Sequence, residues 1–141
     1  MGAWGVGPFE SDEALDFLGD LHRPGDPPRL GALARPMQHV AHSGAYLQGP
    51  DVTEAVAAAA LIGSVLNPGA AADEPDRPTW TAEVRPEQID TELVELARQA
   101  LRRALRPKDN ELHELWVEAA AVDEWEASVR RVLTWLGDRD D

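Results

Sequence analysis

Apolar positions along this chain recur with the period of an α-helix, and no run shows the alternation of a half-buried strand. The first ten residues are the exception: Gly2, Gly5, Gly7 and Pro8 resist regular structure and predict an irregular arm. Ser11 then reads as an N-cap, with Asp12 and Glu13 following where the helix dipole favours negative charge. Ala14, Phe17, Leu18 and Leu21 form one apolar stripe, and Gly19 with the segment RPGDPP at 23–28 ends this short helix.

A second helix over about 28–43 places Leu30, Leu33, Ala34, Met37, Val40 and Ala41 inward, with Pro36 kinking or splitting it. A third starts at Asp51, with Glu54 three residues on as a capping box, and its body AVAAAALIGSVL is apolar on nearly every side. A helix without a polar face belongs in the middle of a bundle, so 51–66 is the predicted central helix. Residues 67–85 form one long loop, tacked down by Trp80. A fourth helix begins between Pro86 and Thr91 and runs to about Leu105, its acids preceding its arginines as the macrodipole prefers. Asn110 caps a fifth helix, with Leu112, Leu115, Trp116 and Ala119 inward. Asp123 with Glu126, a further capping box, opens a sixth over about 123–136, and Gly137 stops it.

The expected fold class is all-α. It is a single compact bundle of five to six helices over 1–137, built around the alanine-rich helix 51–66, with the arm 1–10 packed on the core and a frayed tail at 138–141.

A chain of 141 residues suits one domain. It has no cysteine, which removes disulfides and thiolate chemistry and fits a reducing cytoplasm. Residues 1–20 lack the basic start and apolar run of a signal peptide, and the apolar run from Ala55 to Leu66 is too short and alanine-rich to span a bilayer. The expected localisation is therefore cytoplasmic. Lys108 is the single lysine beside twelve arginines, a composition in keeping with a GC-rich bacterial genome. A formal charge of −13 argues against nucleic acid or an anionic membrane as partner. It serves solubility, or it steers the chain toward a basic protein.

No nucleophile elbow, phosphate loop, zinc motif or nucleotide fingerprint is present, so no catalytic residue and no cofactor is implied. Three constellations remain. Asp12, Asp16 and Asp20 share one helix face beside Glu10 and Glu13; such carboxylates either ligate a hard cation or form a solvated face. His39 and His42, at i and i+3, suit a metal given a third ligand, or are plain surface residues; His22 and His113 stand alone. The strongest single-sign patch is Asp109, Glu111, Glu114, Glu118, Asp123, Glu124 and Glu126, uninterrupted by lysine or arginine. It reads as a docking face for a cationic protein surface, or as capping acids on a solvated exterior.

The opening GAWGVGPFESDEALDFLGDL is similar to the start of a bacterial family known as domain of unknown function 4259, whose pattern is approximately W-G-x-G-x-F-[EN]-N-D-x-A-x-D-[WF]. Trp4, Gly5, Gly7, Phe9, Asp12, Ala14, Asp16 and Phe17 fall in register, and Ser11 replaces an Asn, as an N-cap tolerates. A second landmark, E-L-x-E-L-W followed by a further Trp, resembles ELHELWVEAAAVDEW at 111–125. The resemblance implies a shared fold and carries no catalytic residue.

It frames two readings of the arm. As a clasp, Gly5 and Gly7 let the backbone turn so that Trp4 and Phe9 both enter the bundle, with Asp16 accepting from the Trp4 indole or an arm amide. As a ligand cleft, the arm and the carboxylates of Asp12 and Asp16 line a pocket. The expected function is a non-catalytic protein-binding module, immunity- or antitoxin-like, meeting a basic partner. The alternatives are a metal-dependent enzyme or ligand-binding protein using Asp12 and Asp16, and a structural subunit of an assembly.

Overall fold

Capping residues begin three of the helices, Ser11 and Asn110 where the sequence places them and Asp90 within the stretch 86–91 where the fourth helix is expected to start. The Ser11 hydroxyl accepts from the Ala14 amide at 3.1 Å, Asp90 from Leu93 at 2.8 Å and Asn110 from His113 at 3.2 Å. In the computed structural model, which describes residues 3–23, 25 and 29–137, six α-helices follow one another. They are α1 (Asp12–Gly19), α2 (Ala34–His42), α3 (Gly49–Leu66), α4 (Thr91–Ala104), α5 (Glu111–Glu118) and α6 (Val122–Trp135). Short 3-10 turns cover Leu30–Leu33, Thr79–Glu83 and Pro86–Gln88, and the described residues contain no strand. The all-α bundle is the one expected. The tail 138–141 and most of RPGDPP lie outside the described residues.

Neither of the two predicted capping boxes forms. Helix α3 starts at Gly49, two residues before Asp51, with Pro50 in its first turn, and the Asp51 carboxylate faces His39 instead. Helix α6 starts at Val122 without a side-chain cap, and Glu126 turns to His113. In both, a partner from another helix takes the acid that the local amide would have used. The predicted second helix is divided before its proline. Residues Leu30–Leu33 form a 3-10 turn, and Pro36 is the third residue of α2, where an amide has no intrahelical acceptor to lose.

Thirteen of the eighteen residues of α3 are buried, and the helix packs against all five others. Alanines on every side allow that approach, and Gly63 allows a close one to α6. A Cβ there would lie 3.0 Å from the Trp135 Cβ of α6. At eighteen residues and a mean hydropathy of 1.3, α3 meets the length and apolarity of a membrane span, contrary to the expectation from the shorter run at 55–66. Yet 72% of it is buried among the other helices, which marks a core helix.

The long loop 67–85 is fastened at several points. Ala71 is fully buried, and Trp80 packs on the core and stacks on His22, ring centroids 5.2 Å apart and 4° from parallel. Glu74, its side chain only 5% exposed, accepts both its hydrogen bonds from the Arg131 guanidinium of α6, at 2.7 and 3.0 Å.

Candidate functional site

The N-terminal arm closes on itself. Ala3 pairs antiparallel with Ser11, the Trp4 amide donates to the Glu10 carbonyl at 3.0 Å, and the Glu10 amide donates to the Gly7 carbonyl at 3.2 Å. The Glu10 carboxylate folds back into this loop and accepts from the Gly7 amide at 3.2 Å. Both glycines make room for it: a Cβ on Gly7 would come within 2.5 Å of that carboxylate, and one on Gly5 would collide with it.

Phe9 is fully buried, but Trp4 is 52% exposed. The expectation that both rings enter the bundle is therefore corrected: only Phe9 does. The Trp4 indole donates to Asp76 in the long loop at 2.9 Å, so the partner is not Asp16. An indole N–H inside the apolar bundle would need a buried acceptor, and Asp76 supplies one at the surface. Asp12 and Asp16 lie exposed on α1.

Beneath the arm, against the start of α3 and the inner sides of α5 and α6, opens a cleft of about 70 Å³. Gly5, Gly7 and Glu10 of the arm and Glu13 of α1 form one side. Gly49, Thr53 and Val56 of α3, Leu112, Leu115 and Trp116 of α5, and Trp125 of α6 form the rest. The two stretches that carry the family resemblance, 4–17 and 111–125, thus meet at one place. The sequence marks both stretches but gives no signal that they face each other, nor that Thr53 and Gly49 stand between them.

The acidic run divides in two. Glu111 accepts from the Gly49 amide at 2.7 Å, Glu114 from the Tyr46 hydroxyl at 3.1 Å, and Glu126 meets the His113 ring at 3.1 Å and the Arg130 guanidinium at 3.8 Å. Asp109, Glu118, Asp123 and Glu124 are exposed. Tyr46, 47% exposed, stands among the acids. Partial desolvation and the hydrogen bond to Glu114, followed by the charges of Glu114, Glu111 and Asp109, push its hydroxyl above the ordinary tyrosine value. Val117, 52% exposed, lies one turn along α5 from Glu114. The face is therefore acidic with two apolar points in it.

The histidines diverge. His39 faces Asp51 of α3 at 3.4 Å, whereas His42 contacts Gln99 of α4 at 3.4 Å. His113, read as isolated, is buried and links α5 to α6 through Glu126 and an edge contact with Trp125. The structure does not bring Asp12, Asp16, His39 and His42 together, and no group of three or more acids and histidines among the described residues is arranged to hold a metal. An open pocket beside α2 gathers Arg35, His39, Asp51 and Glu54. There, partial burial and then the Asp51 charge raise the Glu54 carboxyl above its ordinary value; Arg35 opposes this and Glu13 adds to it.

A family model described as a domain of unknown function, DUF4259, matches residues 2–128. No curated protein and no solved structure matches the chain.

Proposed function

The chain belongs to the DUF4259 family of unknown function, and from that premise we propose that it is a non-catalytic protein-binding module whose α5–α6 acidic face meets a basic protein. One observation carries this reading. Tyr46 and Val117, two of the large apolar side chains left exposed, stand among the carboxylates of Asp109, Glu111, Glu114 and Glu118. Tyrosine in such a setting supplies a rigid contact area at low entropic cost, and surrounding charge steers the encounter. Immunity proteins and antitoxins that neutralise a cationic partner use surfaces of this kind, and the cysteine-free composition suits a cytoplasmic setting.

The test compares two baits. The wild-type chain and a variant carrying Asp109→Asn, Glu118→Gln, Asp123→Asn and Glu124→Gln are immobilised side by side at about 50 and 300 mM salt, across which the screening length shortens markedly. A partner retained by the wild type at low salt, weakened at high salt and lost by the variant is the expected result. Equal retention by both baits overturns the reading.

A further inference from the structure

We propose that the cleft beneath the N-terminal arm receives an arginine side chain from the basic partner. The inference rests on the binding-module reading and names what that partner presents. The walls, the size and the surroundings of the cleft select a guanidinium.

Its polar wall is anionic: among the described residues, Glu10 and Glu13 are the ionisable side chains that line it, and no arginine or lysine does. Its apolar wall includes two indoles, Trp116 and Trp125, and an electron-rich ring attracts a cation that has shed its water. A planar guanidinium both stacks on aromatic rings and offers several donors to carboxylates, whereas an ammonium is a point charge held more tightly by water. Size points the same way. About 70 Å³ exceeds several-fold the roughly 10–15 Å³ that one water needs on this measure, so the space suits a side-chain head rather than a large cofactor.

Access and charge are also prepared. The α3 N-terminus would repel a cation, but the Gly49 amide that lines the cleft is already bonded to Glu111. That same Glu111 belongs to the acidic run, so the cleft adjoins the outer acidic face and one basic segment can span both. The Glu10 carboxylate is held in place before any ligand arrives, by the Gly7 amide and by the space that Gly5 and Gly7 leave. Such preorganisation lowers the cost of binding.

The test follows the indole N–H signals of the ¹⁵N-labelled protein during titration with four probes. These are a Gly-Ser peptide with one arginine, the same peptide with lysine, the same peptide with citrulline (the neutral isostere), and free propylguanidinium. The arginine peptide is expected to move the Trp116 and Trp125 signals saturably, the lysine peptide to do so at least about threefold more weakly, and the citrulline peptide not at all. Propylguanidinium moving the same two signals more weakly than the peptide identifies the side-chain head as the recognised group. A stronger response to propylguanidinium than to the peptide assigns the cleft to a free small cation and overturns the partner assignment.

Glu13→Gln and Glu10→Gln keep shape, and the latter keeps an oxygen for the Gly7 amide; each is expected to weaken the arginine peptide at least about threefold with the unliganded spectrum intact. Equal response to arginine and citrulline, or an unchanged response in both variants, overturns the proposal. If the peptides instead move only Tyr46 and its neighbours, the cleft assignment falls while the acidic-face reading stands. If the fourfold acidic-face variant retains the indole response, the cleft assignment stands on its own.

Discussion

Asn110 shows how much a single side chain does here. Its Oδ1 caps α5, while its Nδ2 donates to the Ala104 carbonyl at 2.8 Å and the Arg106 carbonyl at 3.0 Å, closing the end of α4. It is fully buried, and Leu47 pairs with the backbone beside it, so the corner between α4 and α5 turns on one amide. Asn110→Ala leaves one buried carbonyl, one half-buried carbonyl and one amide without these partners, and chemical denaturation should show a loss of about 2–3 kcal/mol. Asn110→Asp keeps the cap but sets a carboxylate oxygen against two carbonyls; it should be at least as damaging at neutral pH and recover in part once acid supplies a donor proton. Tyr46 offers a cleaner reading, because it is the single tyrosine. Its tyrosinate absorbance should develop above the ordinary range, and Glu114→Gln, which removes both the hydrogen-bonding carboxylate and its charge, should move that titration back down. An unmoved midpoint would show that the acids do not converge on the ring.

At the level of elements, the central helix, the caps at Ser11 and Asn110, and the all-α class were legible because each depends on residues close together in sequence. What escaped depended on partners far along the chain. Asp51 and Glu126 sit in good capping-box spacing, yet His39 and His113 hold them from other helices. Trp4 looked like a core ring, but its indole acceptor, Asp76, is 72 residues away. The cleft was half legible: its two marked stretches were visible, their meeting across α3 was not. Glu54, on the side of α3 facing α2, carries a pH signature of that packing. Its folded-state carboxyl titrates above the unfolded value, so folding binds an extra proton between the two values. Stability therefore falls as pH rises through that window and stays lower at neutral pH. Glu54→Gln should raise the melting temperature by about 1–2 °C at pH 7, the scale of a partly exposed site, and leave it nearly unchanged once Glu54 is protonated in both states.

Across the whole molecule the charge of −13 is a cost to folding as well as a means of meeting a partner, since like charges repel more strongly in the compact state. The ion pairs that offset it are local: Glu74 with Arg131 ties the long loop to α6, and Glu95 with Arg98 lies along α4. The Arg98 guanidinium also reaches the Leu136 carbonyl at 2.6 Å and joins α4 to the end of α6. On the acidic face, Glu118, Asp123 and Glu124 are exposed in addition to the three acids around Tyr46, which are Asp109, Glu111 and Glu114. Salt should therefore stabilise the wild type, because screening the net repulsion outweighs the weakening of a few pairs, one of which, at the shielded Glu74 carboxylate, is screened less than an exposed pair. Neutralising Asp109, Glu118, Asp123 and Glu124 brings the formal charge to −9 and should both raise the melting temperature at low salt and flatten its dependence on salt. If those acids serve only solubility, the variant should lose solubility and keep every partner. If they serve recognition, it gains stability and loses the partner, the exchange expected where a surface is held away from its stability optimum by function. Thermal melts at about 10 and 300 mM salt, read beside partner retention by the same two proteins, separate the two cases.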